Sequence, residues 1–119
     1  MSFQDILKTS VQAVEGGLAS VVMGFDGIAV EQYVHDGSGV DVQTLGVEYS
    51  SALTEVRRTA EALASGTVQE VAVTTEKALV LLRPVNPEYF VALVLSNDGN
   101  FGKGRYVLRR AARALADEM

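Results

Sequence analysis

The stretch YFVALVLSNDGNFGKGRYVLRRAARAL, residues 89–115, decides the fold. An unbroken apolar run, 89–95, leads into a glycine-rich loop carrying Lys103 and then into a segment of helical periodicity. Strand, Gly-Lys loop and helix is also the layout of a phosphate-binding loop. That loop needs Gly, four spacers and then Gly-Lys-Ser/Thr, because its backbone N–H groups cradle phosphate and its hydroxyl holds magnesium. Here Asn97 stands five residues before Gly102, and Gly104 follows Lys103. Both required positions are wrong, so nucleotide binding is not expected. The better reading is a buried strand, a tight turn at Asp98-Gly99, and a helix near 102–117. Gly102 and Gly104 are expected to bring the helix start close to a strand, with Lys103 left in solvent. Phe101, Gly104, Leu108, Ala111 and Leu115 share one side of the helix. Arg105, Arg109 and Arg113 recur every four residues on the other, with Lys103 and Arg110 near them.

Working back from residue 89, Asn86-Pro87-Glu88 and Glu76-Lys77 turn three strand-like runs, TVQEVAVT (67–74), ALVLLRPV (78–85) and YFVALVL. Hairpins this tight impose antiparallel pairing. The segment near 42–64 reads as a long helix opened by Asp41, a good N-cap. Val42, Leu45, Tyr49, Leu53, Val56, Ala60 and Leu63 make a narrow apolar stripe, flanked by the small residues Ser50, Ser51, Ala52, Thr59 and Ala62. Before it, LASVVMGF and IAVEQYV form a hairpin about Asp26-Gly27, a two-residue turn signal. At the start, Ser2 and Asp5 suggest a capping box, and Phe3, Ile6, Leu7, Val11 and Val14 a helix near 2–16 that stops at Gly16-Gly17. The expected architecture is α+β, in the order αββαβββα: one five-stranded antiparallel sheet flanked by three helices, a single domain over 1–119.

Composition narrows the function classes. The 119 residues contain no cysteine, which excludes disulfides, thiolate metal sites and a thiol nucleophile. No apolar run approaches the ~18–20 residues that span a bilayer, and no secretory signal is visible, so integral membrane association is not expected and a cytoplasmic location is. The net charge of −5 argues against nucleic acid as a partner. The charge is uneven. Residues 1–100 hold five Lys/Arg against thirteen Asp/Glu, a balance of −8, whereas residues 101–119 hold five against two, a balance of +3. Such asymmetry marks a contact surface or a solvated helix face. The lone His35 has no partner of catalytic spacing, and the carboxylates lack metal-ligand spacing. The chain is read as non-catalytic, with no cofactor.

The element order, the long central helix after a glycine-rich loop, AVTTEKALVLLRPVNPEYFVALVL and the small-residue entry into GKGRYVLRRAA together resemble the Roadblock/dynein light chain family, in particular its short prokaryotic single-domain members of the MglB type. The resemblance covers nearly the whole chain. It implies a strand order 2-1-5-4-3, with the second helix on one face and the first and last on the other. It also implies a homodimer that pairs third strands and packs second helices, and serves as a scaffold for, or activator of, a Ras-like small GTPase. Any activation would then act on the partner's active site. The residues support a dimer independently: TVQEVAVT carries only Glu70 as charge, and an unblunted edge invites pairing. The expected interface is Val68, Glu70, Val71, Ala72 and Val73 with Ser51 and Ala62. Thr54, Arg57, Arg58 and Glu61 are the candidate GTPase contacts, and Lys103, Arg105, Arg109 and Arg113 form the alternative basic face. Two other readings share the architecture: a PAS- or profilin-like small-molecule sensor, which needs an internal cavity, and a structural light-chain-type adaptor.

Overall fold

Ser2 starts the first helix by accepting the backbone N–H of Asp5 at 3.1 Å. In this computed structural model, which describes residues 2–119, the elements are α1 (Phe3–Gln12), β1 (Gly17–Gly24), β2 (Ala29–Val34), α2 (Val42–Ala62), β3 (Val71–Thr74), β4 (Ala78–Pro84), β5 (Tyr89–Ser96) and α3 (Phe101–Asp117). The five strands form one sheet in the order β2-β1-β5-β4-β3, antiparallel throughout.

β5 explains why the decisive stretch is apolar at every position. It pairs with β1 on one side and β4 on the other. Val91, Leu93 and Leu95 pack against α1 and α3, while Phe90, Ala92 and Val94 face the layer of α2. A strand covered on both faces has no solvent side on which to alternate. Leu93 is fully buried, and truncating such a side chain costs about 2–5 kcal/mol. The helices cover the faces as the resemblance implies, two on one and α2 on the other.

Gly104 is where α3 meets the sheet most closely. A Cβ there would lie 2.8 Å from Leu95 Cδ1 and 3.1 Å from Leu81 Cδ1. Gly102 makes no such approach: its Cβ would meet only Asn100 Oδ1, at 3.9 Å. The helix begins one residue earlier than its sequence suggests, because Asn100 caps it by accepting the Lys103 N–H at 3.0 Å. Phe101, expected on the buried side, is exposed.

Other boundaries shift for local reasons. α1 ends at Gln12, and the chain then turns through Val14, which is buried, to Gly16, so that Gly17 opens β1 and the glycine pair does not terminate the helix. The β1–β2 turn spans three residues, Phe25 to Gly27: Gly24 and Ile28 close it, and Gly27 takes a positive φ of 87°. β3 has four paired residues, not eight. Residues 67–70 do not join the ladder, and the Glu70 side chain turns inward.

Candidate functional site

α2 is the element on which most candidate residues stand. Asp41 caps it, accepting from Thr44 N at 3.1 Å and Thr44 Oγ1 at 2.8 Å. The bond from the Thr44 hydroxyl, aided by the Thr44 N–H, holds the Asp41 carboxyl below its ordinary pKa. Gly46 lets the helix close on β1: a Cβ there would lie 2.7 Å from Met23 Cε. The buried positions are Val42, Gly46, Ser50 and Leu53. Ser50 is satisfied locally, donating to Val47 O at 2.6 Å.

This burial is rotated from the apolar stripe read in the sequence. Leu45 and Tyr49 are half-buried, Val56 is 40% exposed and Leu63 is 72% exposed. After Leu53 no α2 residue is fully buried. The helix therefore presents an apolar flank that its own sheet does not cover. Ser51 and Ala62 are exposed as well.

Arg57 is not the free arginine that its spacing suggests. It is half-buried, its guanidinium lies 3.8 Å from the centre of the Phe25 ring, and it donates to Pro87 O at 3.3 Å. Phe25 in turn packs against Phe90, with ring centres 5.3 Å apart. Arg58 points outward and pairs with Glu55 at 2.6 Å; that bond holds Glu55 below the usual carboxylate range. Thr54 and Glu61 are exposed, Thr54 donating to Ser50 O at 2.8 Å. Arg57 and Glu61 share a cleft of about 480 Å³ with Thr67 and Val68. A neighbouring cleft of about 420 Å³ runs from Arg57 to Arg83 and Pro87. Both open to solvent and neither lies inside the core.

On the β3 side, Val71 and Val73 are half-buried over the α2 layer, and Ala72, opposite Leu81, lies exposed on the other face. Val68 packs into the same layer as Val71. Glu70 faces the body of the domain. Its Oε2 accepts from Arg105 Nε at 2.6 Å, and its Oε1 lies 3.8 Å from Arg83, held by charge without a hydrogen bond. This ties the entry of β3 to α3 and removes Arg105 from the free basic face. Lys103, Arg109 and Arg113 remain exposed.

The seat of Arg57 and the bridge at Glu70 both escape a reading of the sequence. Arg57 and Pro87 are 30 residues apart, Glu70 and Arg105 are 35 apart, and no periodicity links them. Among the described residues, no group of three His, Asp or Glu is placed to hold a metal ion, and no helix is long and apolar enough to cross a membrane. The arrangement offers recognition surfaces: an apolar flank, a short open edge and a charged helix end.

A scan against protein-family models finds no match, and a search of curated proteins finds none. Solved structures do match. MglC from Myxococcus xanthus is 49% identical over the whole of both chains, with a TM-score of 0.74. A Roadblock/LC7 domain from Streptomyces avermitilis is 14% identical, covers 97% of this chain and 95% of that one, and superposes with a TM-score of 0.86. Gliding protein MglB from Thermus thermophilus is 16% identical, with coverages of 95% and 84% and a TM-score of 0.85. The last two show the shared fold. The first is near enough in sequence to show kinship.

Proposed function

The chain belongs to the Roadblock/LC7 family, and from that premise we propose that it works as a homodimeric platform for a Ras-like small GTPase, stimulating the partner's hydrolysis or fixing its position. One observation carries this reading. The flank of α2 holding Val56 and Leu63 is apolar and solvent-exposed along one face of the helix. Two copies of that flank, related by a two-fold axis, would bury each other and set two α2 helices side by side.

The outer side of such a pair would carry Thr54, Arg58 and Glu61 from each chain. Rigid elements hold a partner's switch loops better than mobile ones. Arg57 serves this surface differently from Arg58: clamped between Phe25 and Pro87, it shapes the cleft beside Glu61 and is not extended toward a partner. Activation on this reading works by ordering the GTPase's own catalytic groups, because Arg57 would have to leave its seat, and Arg58 its pairing with Glu55, to reach another active site.

The test is GTP hydrolysis by Ras-like GTPases from the same genome, each measured alone and with the chain added, alongside direct binding. Binding with faster hydrolysis identifies an activator, and binding with unchanged hydrolysis identifies a scaffold. Failure of every such GTPase to bind the dimeric protein overturns the proposal.

A further inference from the structure

On the face of the sheet away from α2, α1 and α3 lie side by side and leave a groove of about 320 Å³ between them. Its floor is mostly apolar, Ile6, Val107, Ala111 and Ala114 beside the buried Ser10, whose hydroxyl donates to Ile6 O, with Ala13 and Thr9 exposed at the α1 edge. Its rim carries Lys103, Tyr106 and Arg110, and no carboxylate lines it. Tyr106 is 52% exposed, a large aromatic left in water on α3. Arg110 reaches back to it, with NH1 3.5 Å from the Tyr106 hydroxyl, so that the rim is partly arranged in advance. Arg113, three residues on, extends the positive edge and is exposed.

We propose that this groove docks an acidic amphipathic helix of a partner protein. The floor accepts apolar side chains spaced one turn apart, as in other helix-in-groove contacts. Lys103 and Arg110 are seven residues apart on one helix face, or about 10 Å along its axis. Acidic residues two turns apart on a docked helix match that separation. Charge supplies the selectivity. The chain as a whole is at −5, so an acidic segment is repelled by most of the molecule and drawn to the one helix that carries half of its basic residues. A lipid surface fits less well, because among the described residues lining the groove Tyr106 is the one large exposed hydrophobic side chain. The groove is on the opposite face from the proposed GTPase platform, so both partners can bind together and either proposal can fail alone.

The probe is a fluorescent helical peptide of about 18 residues, leucine along one stripe and glutamate elsewhere. The comparison peptide has lysine in place of every glutamate. Saturable binding of the glutamate peptide alone is expected, weakening as salt rises. Lys103→Glu with Arg110→Glu should lower its affinity at least tenfold. Thr9→Trp, an exposed groove-lining position, should plug the groove with similar effect while the melting temperature stays near wild type. Amide shifts confined to α1 and α3 on titration would locate the site. Three results overturn the proposal: no saturation by the glutamate peptide, equal binding by the two peptides, or wild-type affinity in both variants. Preference for phosphatidylserine vesicles over the peptide also overturns it.

Discussion

The Arg57 guanidinium rests 3.8 Å above the Phe25 ring, with Pro87 O as its hydrogen-bond acceptor. The contact joins α2 to the β1–β2 turn and the β4–β5 turn at once. It also separates two adjacent arginines into different jobs, one structural and one at the surface.

Arg57→Ala should therefore destabilise the fold by about 1 kcal/mol, through lost stacking and lost packing of the side-chain stem. Arg58→Ala should leave the melting temperature unchanged. Thermal unfolding of the two variants in parallel checks this. Equal melting temperatures would show that the stack contributes nothing. For the same reason Arg58→Glu with Glu61→Arg is the cleaner probe of GTPase binding, since it spares Phe25.

Assembly can be tested at the exposed end of α2. Leu63→Glu combined with Val56→Glu should convert a dimer into a monomer without unfolding it, because neither residue is buried in the domain. A stable dimer of this kind buries about 1,600 Å² in total. Light scattering over a range of concentrations reads the outcome. A wild-type chain that stays monomeric at tens of micromolar would refute the dimer. Val71→Pro in β3 probes the edge contribution by removing a ladder donor.

Two glycines in the first turn of α3 should respond in opposite directions. Gly104→Ala drives a methyl group into Leu95 and Leu81, and overpacking of this sort costs about 1–3 kcal/mol, only partly offset by helix propensity. Gly102→Ala makes only an ordinary contact with Asn100 Oδ1 and should stabilise by about 0.5 kcal/mol. Urea unfolding of both variants is the measurement. Destabilisation of similar size at the two sites would contradict the close approach of α3 to β5.

Glu70→Ala should cost about 1 kcal/mol by releasing Arg105, and high salt should shrink the difference, since Arg105 is half exposed. The acid side of the stability profile reports another carboxylate. Asp41 has a lowered pKa in the folded protein, so its contribution is complete above the ordinary carboxylate range and disappears as pH falls through the folded value. In Asp41→Asn that acid-side slope should flatten, while the amide still caps α2. An unchanged slope would mean that the capping charge is irrelevant.

Calorimetry with GTP and magnesium addresses Lys103. No tight binding is expected, since Asn97 and Gly104 break the phosphate-loop pattern. Micromolar binding abolished by Lys103→Ala would reverse that reading.

The sequence exposes whatever rests on neighbours along the chain. Asp26-Gly27 and Asn86-Pro87-Glu88 announce their hairpins, and Asn86 does so chemically, its Oδ1 accepting from Glu88 N and Tyr89 N at 2.8 and 2.9 Å. The junction of β1 with β5 has no turn to mark it, and only family resemblance indicates the order. The stripe on α2 misleads for a related reason. Periodicity counts apolar residues without knowing what covers them, so Val56 and Leu63 look like core while Gly46 and Ser50 do not. Glu70 misleads in reverse: a charge on an edge strand reads as exposed until two distant arginines turn it inward.

The loss of core contacts beyond Leu53 has a dynamic consequence. Amide protons near 58–62 sit on a helix end that buries no side chain fully, so in an isolated chain they should exchange with deuterium through local opening well before the amides of β5. If a second copy covers that end, their protection should climb with protein concentration while that of β5 stays level. The end of α2 would then act as a gauge of assembly, ordered to the degree that the chain has found its partner.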